Sequence, residues 1–424
     1  MTTDLLAAAR ALDAADRLAP FRDRFLLPVD AQGAPQVYLC GHSLGLQPKD
    51  ARRYIDEVLD DWARRGVEGH HDGRRPWIPY AEALQEGFAR LAGARPIEVV
   101  GMNSLTVNLH LLMASFYRPQ GRRVAIVVEE GAFSSDRHAV ASQLEWHGLD
   151  PATALIEVAP LPGEDLVDEA QLETLLAERG SEVALVLWPG VQYRTGQAFD
   201  LGRIAESARR AGAACGFDLA HGMGNTPLAL HDSGVDFAVW CGYKYLNGGP
   251  GALAGAFVHD RHAGTRLPRL AGWWGHDPAS RFRMEPGFIA APGAAGWQLS
   301  NPPILSTAPL LASLELFDAA GGTALQAKAR EMTSFLESAL RARLERAIAI
   351  VTPARPEARG CQLSLRVRDG RETGLRVHHE LAAQGILTDW REPDIIRAAP
   401  VPLYNRFEDA ARLVLALERT LTTA

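Results

Sequence analysis

The sequence predicts an α/β protein: a mostly parallel sheet with helices on both faces, followed by a smaller α+β unit. Three observations predict it. Short, wholly apolar runs (124–128, 183–188, 237–241) alternate with stretches of helical length, and a strand apolar throughout is what a sheet covered on both faces requires. Polar residues collect at or just after the carboxyl ends of such runs, namely Asp136, Asp218, His221 and Lys244, which is where open α/β sheets bind ligands. From Gly360 onward the pattern changes to strand, helix, strand, strand, helix.

Composition narrows the class. The 424 residues are long enough for two or three domains and a large core. Hydrophobic residues make up 47% and charged residues 22%, as in a globular protein. A net charge of −7 and a pI near 6.0 argue against nucleic acid as the main partner, because phosphate binding needs a basic surface. The four cysteines are scattered, form no CxxC, and read as reduced thiols in a cytoplasmic protein. No apolar run approaches bilayer length, so no membrane contact is expected. Residues 2–27 are apolar at helical spacing but carry Asp4, Arg10, Asp13, Asp16 and Arg17. They read as an amphipathic helix, not a signal peptide.

In chain order, residues 36–45 form a short strand running into Gly41, Ser43 and Gly45. That Gly-x-Ser-x-Gly spacing suits a nucleophile elbow only in a sharp strand-to-helix turn; a glycine-rich turn lining a site is the better reading. Residues 50–66 and 79–92 read as helices, with a polar loop between them holding His70 and His71. No third ligand stands at metal-binding spacing, so these histidines read as loop or substrate contacts, and no metal is expected. After residues 99–102, Asn103-Ser104-Leu105-Thr106 starts an apolar helix. Such a start is either a plain cap or an anion site, since free N–H groups face outward there. Phe133-Ser134-Ser135-Asp136 starts the next helix. Strands follow at 183–188 (leaving at Pro189) and at 213–218, then comes the stretch 236–251, with a returning strand at 255–258. Residues 268–304 are irregular and rich in Gly, Pro and Trp, as functional or interface loops are. Residues 306–345 read as helical. The closing unit has strands at 361–367, 386–390 and 395–398 and helices at 371–384 and 406–421. There are no internal repeats.

Lys244 stands out. It is one of three lysines against 41 arginines, and it sits between two tyrosines at the end of an apolar run. Arg stays charged, whereas a partly desolvated Lys can lose a proton and form a Schiff base. The alternative is a surface lysine capping a strand. If it forms a Schiff base, pyridoxal 5′-phosphate (PLP) is the cofactor, and the other parts follow from chemistry. Asp218 is placed to face the pyridine nitrogen and keep the ring cationic. Phe133 and His221 are available to cover the ring, and Leu105-Thr106 and Tyr243 to donate to the phosphate. Arg397 is a candidate fork for a substrate carboxylate.

With these pieces joined, the chain resembles the kynureninases, PLP enzymes of fold type I with the aspartate-aminotransferase fold. The resemblance covers nearly the whole chain. It rests on residues 38–45, 102–110 (Met-Asn-Ser-Leu-Thr-Val-Asn-Leu-His), 217–221 (Phe-Asp-Leu-Ala-His), 241–247 (Cys-Gly-Tyr-Lys-Tyr-Leu-Asn), 272–276 (Gly-Trp-Trp-Gly-His) and 300–304 (Ser-Asn-Pro-Pro-Ile). It implies a large PLP-binding domain (61–305) with a mostly parallel seven-stranded sheet and a small C-terminal domain (306–424). Residues 1–60 would pack on the small domain. It implies hydrolysis of L-kynurenine, or 3-hydroxy-L-kynurenine, to anthranilate or its hydroxylated form and L-alanine. Lys244 would hold the cofactor, with Tyr243 as acid/base and Asp218 at the ring nitrogen. Leu105, Thr106, Phe133, Ser134, Ser135, Asp136, His221, Trp273 and Asn301 would line the cofactor. Ser43, His70, Ser300, Asn301 and Arg397 would meet the substrate. It further implies a homodimer with shared active sites, the segments of Trp273 and Asn301 coming from the partner. Pro189 stands where some relatives carry a small hydroxyl residue near the cofactor.

Two other readings share the same residues. A cysteine desulfurase needs a reactive Cys on a mobile loop, but Cys361 begins an alternating strand and reads as buried. A non-catalytic module with this fold has no reason to keep Lys244, Asp218 and Arg397 together.

Overall fold

Seven strands make the central sheet of the computed structural model, which describes residues 2–263 and 265–422. They are β1 (Val99–Gly101), β2 (Ala125–Glu129), β3 (Leu155–Val158), β4 (Val183–Pro189), β5 (Ala214–Asp218), β6 (Phe237–Trp240) and β7 (Gly255–Val258). Their order is β1-β7-β6-β5-β4-β2-β3. Only β7 runs against its neighbours. Every residue of β2, β6 and β7 is buried, because helices cover both faces. This is the physical reason those strands read as unbroken apolar runs. The mostly parallel α/β sheet expected from the sequence is therefore present.

A second sheet of four antiparallel strands follows: β8 (Ile348–Ile350), β9 (Leu363–Val367), β10 (Asp389–Arg391) and β11 (Ile395–Ala398), ordered β8-β9-β11-β10. Arg366 of β9 grips both carboxylate oxygens of Asp165, at 2.7 and 2.8 Å, and also reaches Asp394. Arg194, just beyond β4, meets Asp394 at 3.1 Å. This four-member ion network joins the two sheets' connecting loops.

The two ends of the chain meet. Asp13, in the helix Thr2–Ala15, accepts the backbone N–H groups of Phe407 and Glu408 at 2.7 and 3.0 Å. It thus caps the helix Phe407–Thr422 from 394 residues away. Arg10 pairs with Glu408, and Asp16 pairs with the buried Lys328 at 2.7 Å.

Four elements differ from expectation. Residues 80–84 are a 3₁₀ turn leading into the helix Gln85–Ala92. The helical stretch near 306–345 is two helices, Ile304–Ala320 and Gly322–Leu344, broken where Gly321 takes φ +79°. The strand expected at 386–390 splits: Ile386–Leu387 pairs with Val37–Tyr38, while Asp389–Arg391 joins the small sheet. Strands β3 and β8 lie at sheet edges: β3 alternates in burial, and β8, apolar throughout but only three residues long and partly buried, is too short to mark itself as a strand in the sequence.

Candidate active site

The carboxyl ends of β2, β4, β5 and β6 build the site. Asp218 closes β5, in register with Pro189 of β4 and Val239 of β6. Its Oδ1 accepts the Ala220 N–H at 2.6 Å, which fixes the carboxylate as the chain turns. Lys244 follows β6 on a glycine-rich loop. Its Nζ lies 5.7 Å from the centroid of the Phe133 ring, and Phe133 is the residue that begins the helix Ser134–Trp146 after β2. Tyr193 stands edge-on to Phe133 at 5.2 Å.

The lysine loop is held from the N-terminal segment. Gly45 donates its N–H to the Tyr243 carbonyl at 2.8 Å. A Cβ at position 45 would stand 2.3 Å from the Lys244 carbonyl and 2.3 Å from Asn247 Oδ1. Only glycine allows this approach.

Electrostatics sort the acids and bases. Asp136 is buried, and burial, with the Asp218 charge next to it, pushes its carboxyl well above the usual range. Asp136 therefore keeps a proton to a pH well above 3.8. Glu129, the last residue of β2, is also buried and pushed up by burial, with Asp218 a further contributor. His221 and His42 are both buried, their rings 6.2 Å apart. Burial first, then the cations of Lys244 and Arg397, pushes both imidazoles well below their ordinary value, so both are neutral at pH 7. Burial, reinforced by the Cys241 sulfur, pushes the Tyr243 hydroxyl up to about 12, so it carries its proton.

Arg397, on β11, is 1% exposed. Its Nε and Nη2 donate to Asp389 Oδ1, and its Nη1 donates to the Tyr193 carbonyl at 2.8 Å.

The geometry fits PLP. A ring cofactor on Lys244 would have Phe133 available as a face and Asp218 as an acid. Asp136 Oδ1 and His221 Nδ1 are buried with no hydrogen-bond partner, so two polar atoms remain for a ligand. For a phosphate, the helix Leu105–Phe116 begins at Ser104 with no side-chain cap on its free N–H groups. The Thr106 hydroxyl stands 2.8 Å from that of Ser135, which brings the starts of two helices together.

Trp273 is 44% exposed and meets Trp274, Phe282 and the Arg281 carbonyl. Ser300 and Asn301 are exposed, and Ser43 is half-buried. His70 is half-buried and packs edge-on to Trp77 at 5.2 Å. Cys361 is buried next to Tyr245, and burial pushes its thiol up to about 12, which leaves it unreactive. Sequence reasoning missed Glu129, His42 and Asp389. Glu129 carried a signal, since it closes an apolar strand with an acid as Asp218 does. His42 lay inside a motif read for its serine. Asp389 carried none.

A family profile described as "Kynureninase C-terminal domain" matches residues 325–417. The kynureninase of Xanthomonas campestris pv. campestris (strain B100) is 58% identical over 420 residues, 99% of each chain. That of Xanthomonas euvesicatoria pv. vesicatoria (strain 85-10) is 58% identical over 418 residues, 98% of this chain and 99% of the relative. Among solved structures, a variant of the cystine C–S lyase C-DES, with glycine linked covalently to its PLP cofactor, superimposes with a TM-score of 0.76 at 20% identity. The match covers 93% of this chain and 98% of that one. A cysteine desulfurase from Escherichia coli also gives 0.76 at 20% identity, over 96% and 99%. At such identity the likeness is one of fold.

Proposed function

The chain belongs to the kynureninase family, and from that premise we propose that it hydrolyses the Cβ–Cγ bond of L-kynurenine, giving anthranilate and L-alanine with PLP as cofactor. The observation that carries this reading is the placement of Lys244 Nζ beside the Phe133 ring, with Asp218 ending the adjacent strand. Lys244, Asp218, Asp136, His221, Phe133, Thr106, Ser135 and Tyr243 would hold the cofactor, with Leu105 and Ser134 at the helix starts. PLP bound there supplies an electron sink for the carbanions formed when the Cα proton leaves and the Cβ–Cγ bond breaks.

The chain's own groups do the rest. Arg397 receives the substrate carboxylate and fixes its orientation. The Lys244 amine takes the Cα proton and returns it. Asp218 holds a negative charge against the ring nitrogen. Tyr243, which keeps its proton through the neutral range, donates toward the oxygen that gains charge as water adds to the γ-carbonyl. Neutral His221 lines the site without repelling the Lys244 cation.

The working form is a homodimer with shared active sites. Trp273, Ser300 and Asn301 are exposed within one chain, which leaves them free to reach a partner's site. A groove lined by Val58, Trp62, Trp77 and 303–305 is almost wholly apolar, with Trp62 itself 61% exposed. His70, Ser43, Ser300 and Asn301 supply polar groups for the aryl pocket, which favours 3-hydroxykynurenine as a good substrate. The four cysteines are unpaired, as suits a reducing cytoplasm.

Incubating purified protein with L-kynurenine and following anthranilate fluorescence tests the reading. Lys244→Ala should lose both turnover and the visible absorbance of bound cofactor. A Lys244→Ala variant that keeps both would overturn it.

A further inference from the structure

At the amino end of the central sheet, away from Lys244, four potential metal ligands converge. They are Glu98 (just before β1), His231 (in the short helix Leu230–Ser233), and His259 and Asp260 (just after β7). β7 runs antiparallel to β1 and β6, so the chain leaves β7 beside the point where it enters β1. The topology therefore brings together residues up to 162 positions apart.

One ligand atom from each residue lies within 4.8 Å of all the others. His231 Nδ1 is 2.9 Å from Glu98 Oε1, His259 Nδ1 is 3.5 Å from that same oxygen, and His259 Nδ1 is 3.1 Å from Asp260 Oδ1. A tetrahedral ion with bonds of about 2.0–2.1 Å separates its ligand atoms by roughly 3.3 Å. Those three separations are already near that spacing, and the remaining ones lie within 4.8 Å.

The surrounding groups orient the donors. Glu98 is fully buried; its Oε2 accepts the Arg95 N–H at 2.9 Å and its Oε1 accepts the Asp260 N–H at 2.9 Å. The Arg95 guanidinium pairs with the other oxygen of Asp260. His231 is anchored through its backbone N–H to the Gly93 carbonyl, and His259 through its own to the Asp236 carbonyl. Such outer contacts hold ligand orientation at metal sites. His259 Nδ1 points a lone pair at the Arg261 N–H at 3.2 Å, a long bond that an ion would replace.

We propose that Glu98, His231, His259 and Asp260 form a structural site for a divalent transition metal, Zn²⁺ by donor type. Two imidazole nitrogens and two carboxylate oxygens suit Zn²⁺. The two carboxylates balance the ion's charge when both imidazoles are neutral. His231 then carries its ring proton on Nε2 and gives its Nδ1 lone pair to the metal. The ion ties the start of β1, the helix before β6 and the exit of β7 into one unit. Its effect falls on stability rather than turnover, because the site is at the end of the sheet opposite the active site.

The test uses the holoenzyme, stripped with a chelator and titrated with Co²⁺ and then Zn²⁺. One Co²⁺ per chain should bind with the intense visible bands of a tetrahedral ion, Zn²⁺ should displace it, and Tm should rise with metal concentration. The variant carrying His231→Asn and His259→Asn keeps hydrogen-bonding side chains and should keep its turnover. It should lose the tetrahedral bands and bind at least about tenfold more weakly. Absence of tetrahedral Co²⁺ in the unmodified chain overturns the proposal. So does equal binding by the variant, which would place the ion on another histidine pair such as His70 and His71.

Discussion

Arg397 turns two donors, Nε at 2.9 Å and Nη2 at 2.7 Å, onto a single oxygen of Asp389. The arginine is almost wholly buried and, among the described residues, Asp389 is its only carboxylate partner. A buried cation stripped of its partner costs about 3–5 kcal/mol. The aspartate therefore both stabilises the small sheet and fixes the plane of the guanidinium proposed to receive substrate.

Asp389→Ala should lower stability by about 3 kcal/mol in a denaturant titration. Asp389→Asn, which keeps one acceptor, should fold and raise KM for kynurenine more than it lowers kcat. Arg397→Lys removes the planar fork and should raise KM further. Equal KM values for all three proteins would remove Arg397 from the substrate's reach.

Gly45→Ala places a methyl group against the Lys244 carbonyl and Asn247 Oδ1. Backbone must move, and overpacking of this kind costs about 1–3 kcal/mol. Turnover should fall more than Tm, because the displaced loop carries the lysine. The cofactor's absorbance maximum is the direct readout of that displacement.

The neutral, buried His42 and His221 make stability depend on pH with a defined sign. Their folded pKa values lie well below 6.5, so the unfolded chain binds protons that the native chain refuses. Their contribution is fully present above pH 6.5 and is lost as pH falls from there toward the folded values. Asp136 and Glu129, whose carboxyls burial pushes up, contribute with the opposite sign, so the histidine contribution is read as a difference between proteins. In melting curves from pH 7.5 down to 5, Tm of the unmodified chain should fall relative to that of His42→Asn.

The proposal that His70, Ser43, Ser300 and Asn301 serve the aryl pocket predicts that kcat/KM for 3-hydroxykynurenine equals or exceeds that for kynurenine. His70→Phe should cut the hydroxylated substrate's kcat/KM by about tenfold or more, and kynurenine's by less. A large preference of the unmodified enzyme for kynurenine would sink the idea.

Much of this was legible in the sequence because buried parallel strands have no polar positions to confuse them. β2, β4, β5 and β6 announced themselves, and the residues after them fell at the predicted end of the sheet. Edge strands β3 and β8 did not: β3 alternates in burial, and β8 is a three-residue apolar stretch directly after a long helix. Lys244 was visible as a compositional outlier, and Asp218 as an acid closing an apolar run. Asp389 was invisible because its meaning comes from a pairing across the small sheet, between β10 and β11, that no local pattern encodes. The same holds for Glu98 and His259, which topology alone brings together.

The helix that holds Asp13 is made 394 residues ahead of the helix it caps. At synthesis rates of about 5–20 residues per second, the 394 residues between Asp13 and Phe407 take roughly 20–80 s to emerge. Until Met332 and Phe335 of the helix Gly322–Leu344 emerge, the apolar stripe of the first helix, which packs through Leu5, Leu6 and Ala9, has no native partner, and its contact with Phe407 and Ala411 forms later still. The waiting N-terminal segment is the part of the nascent chain that a chaperone would be expected to shield.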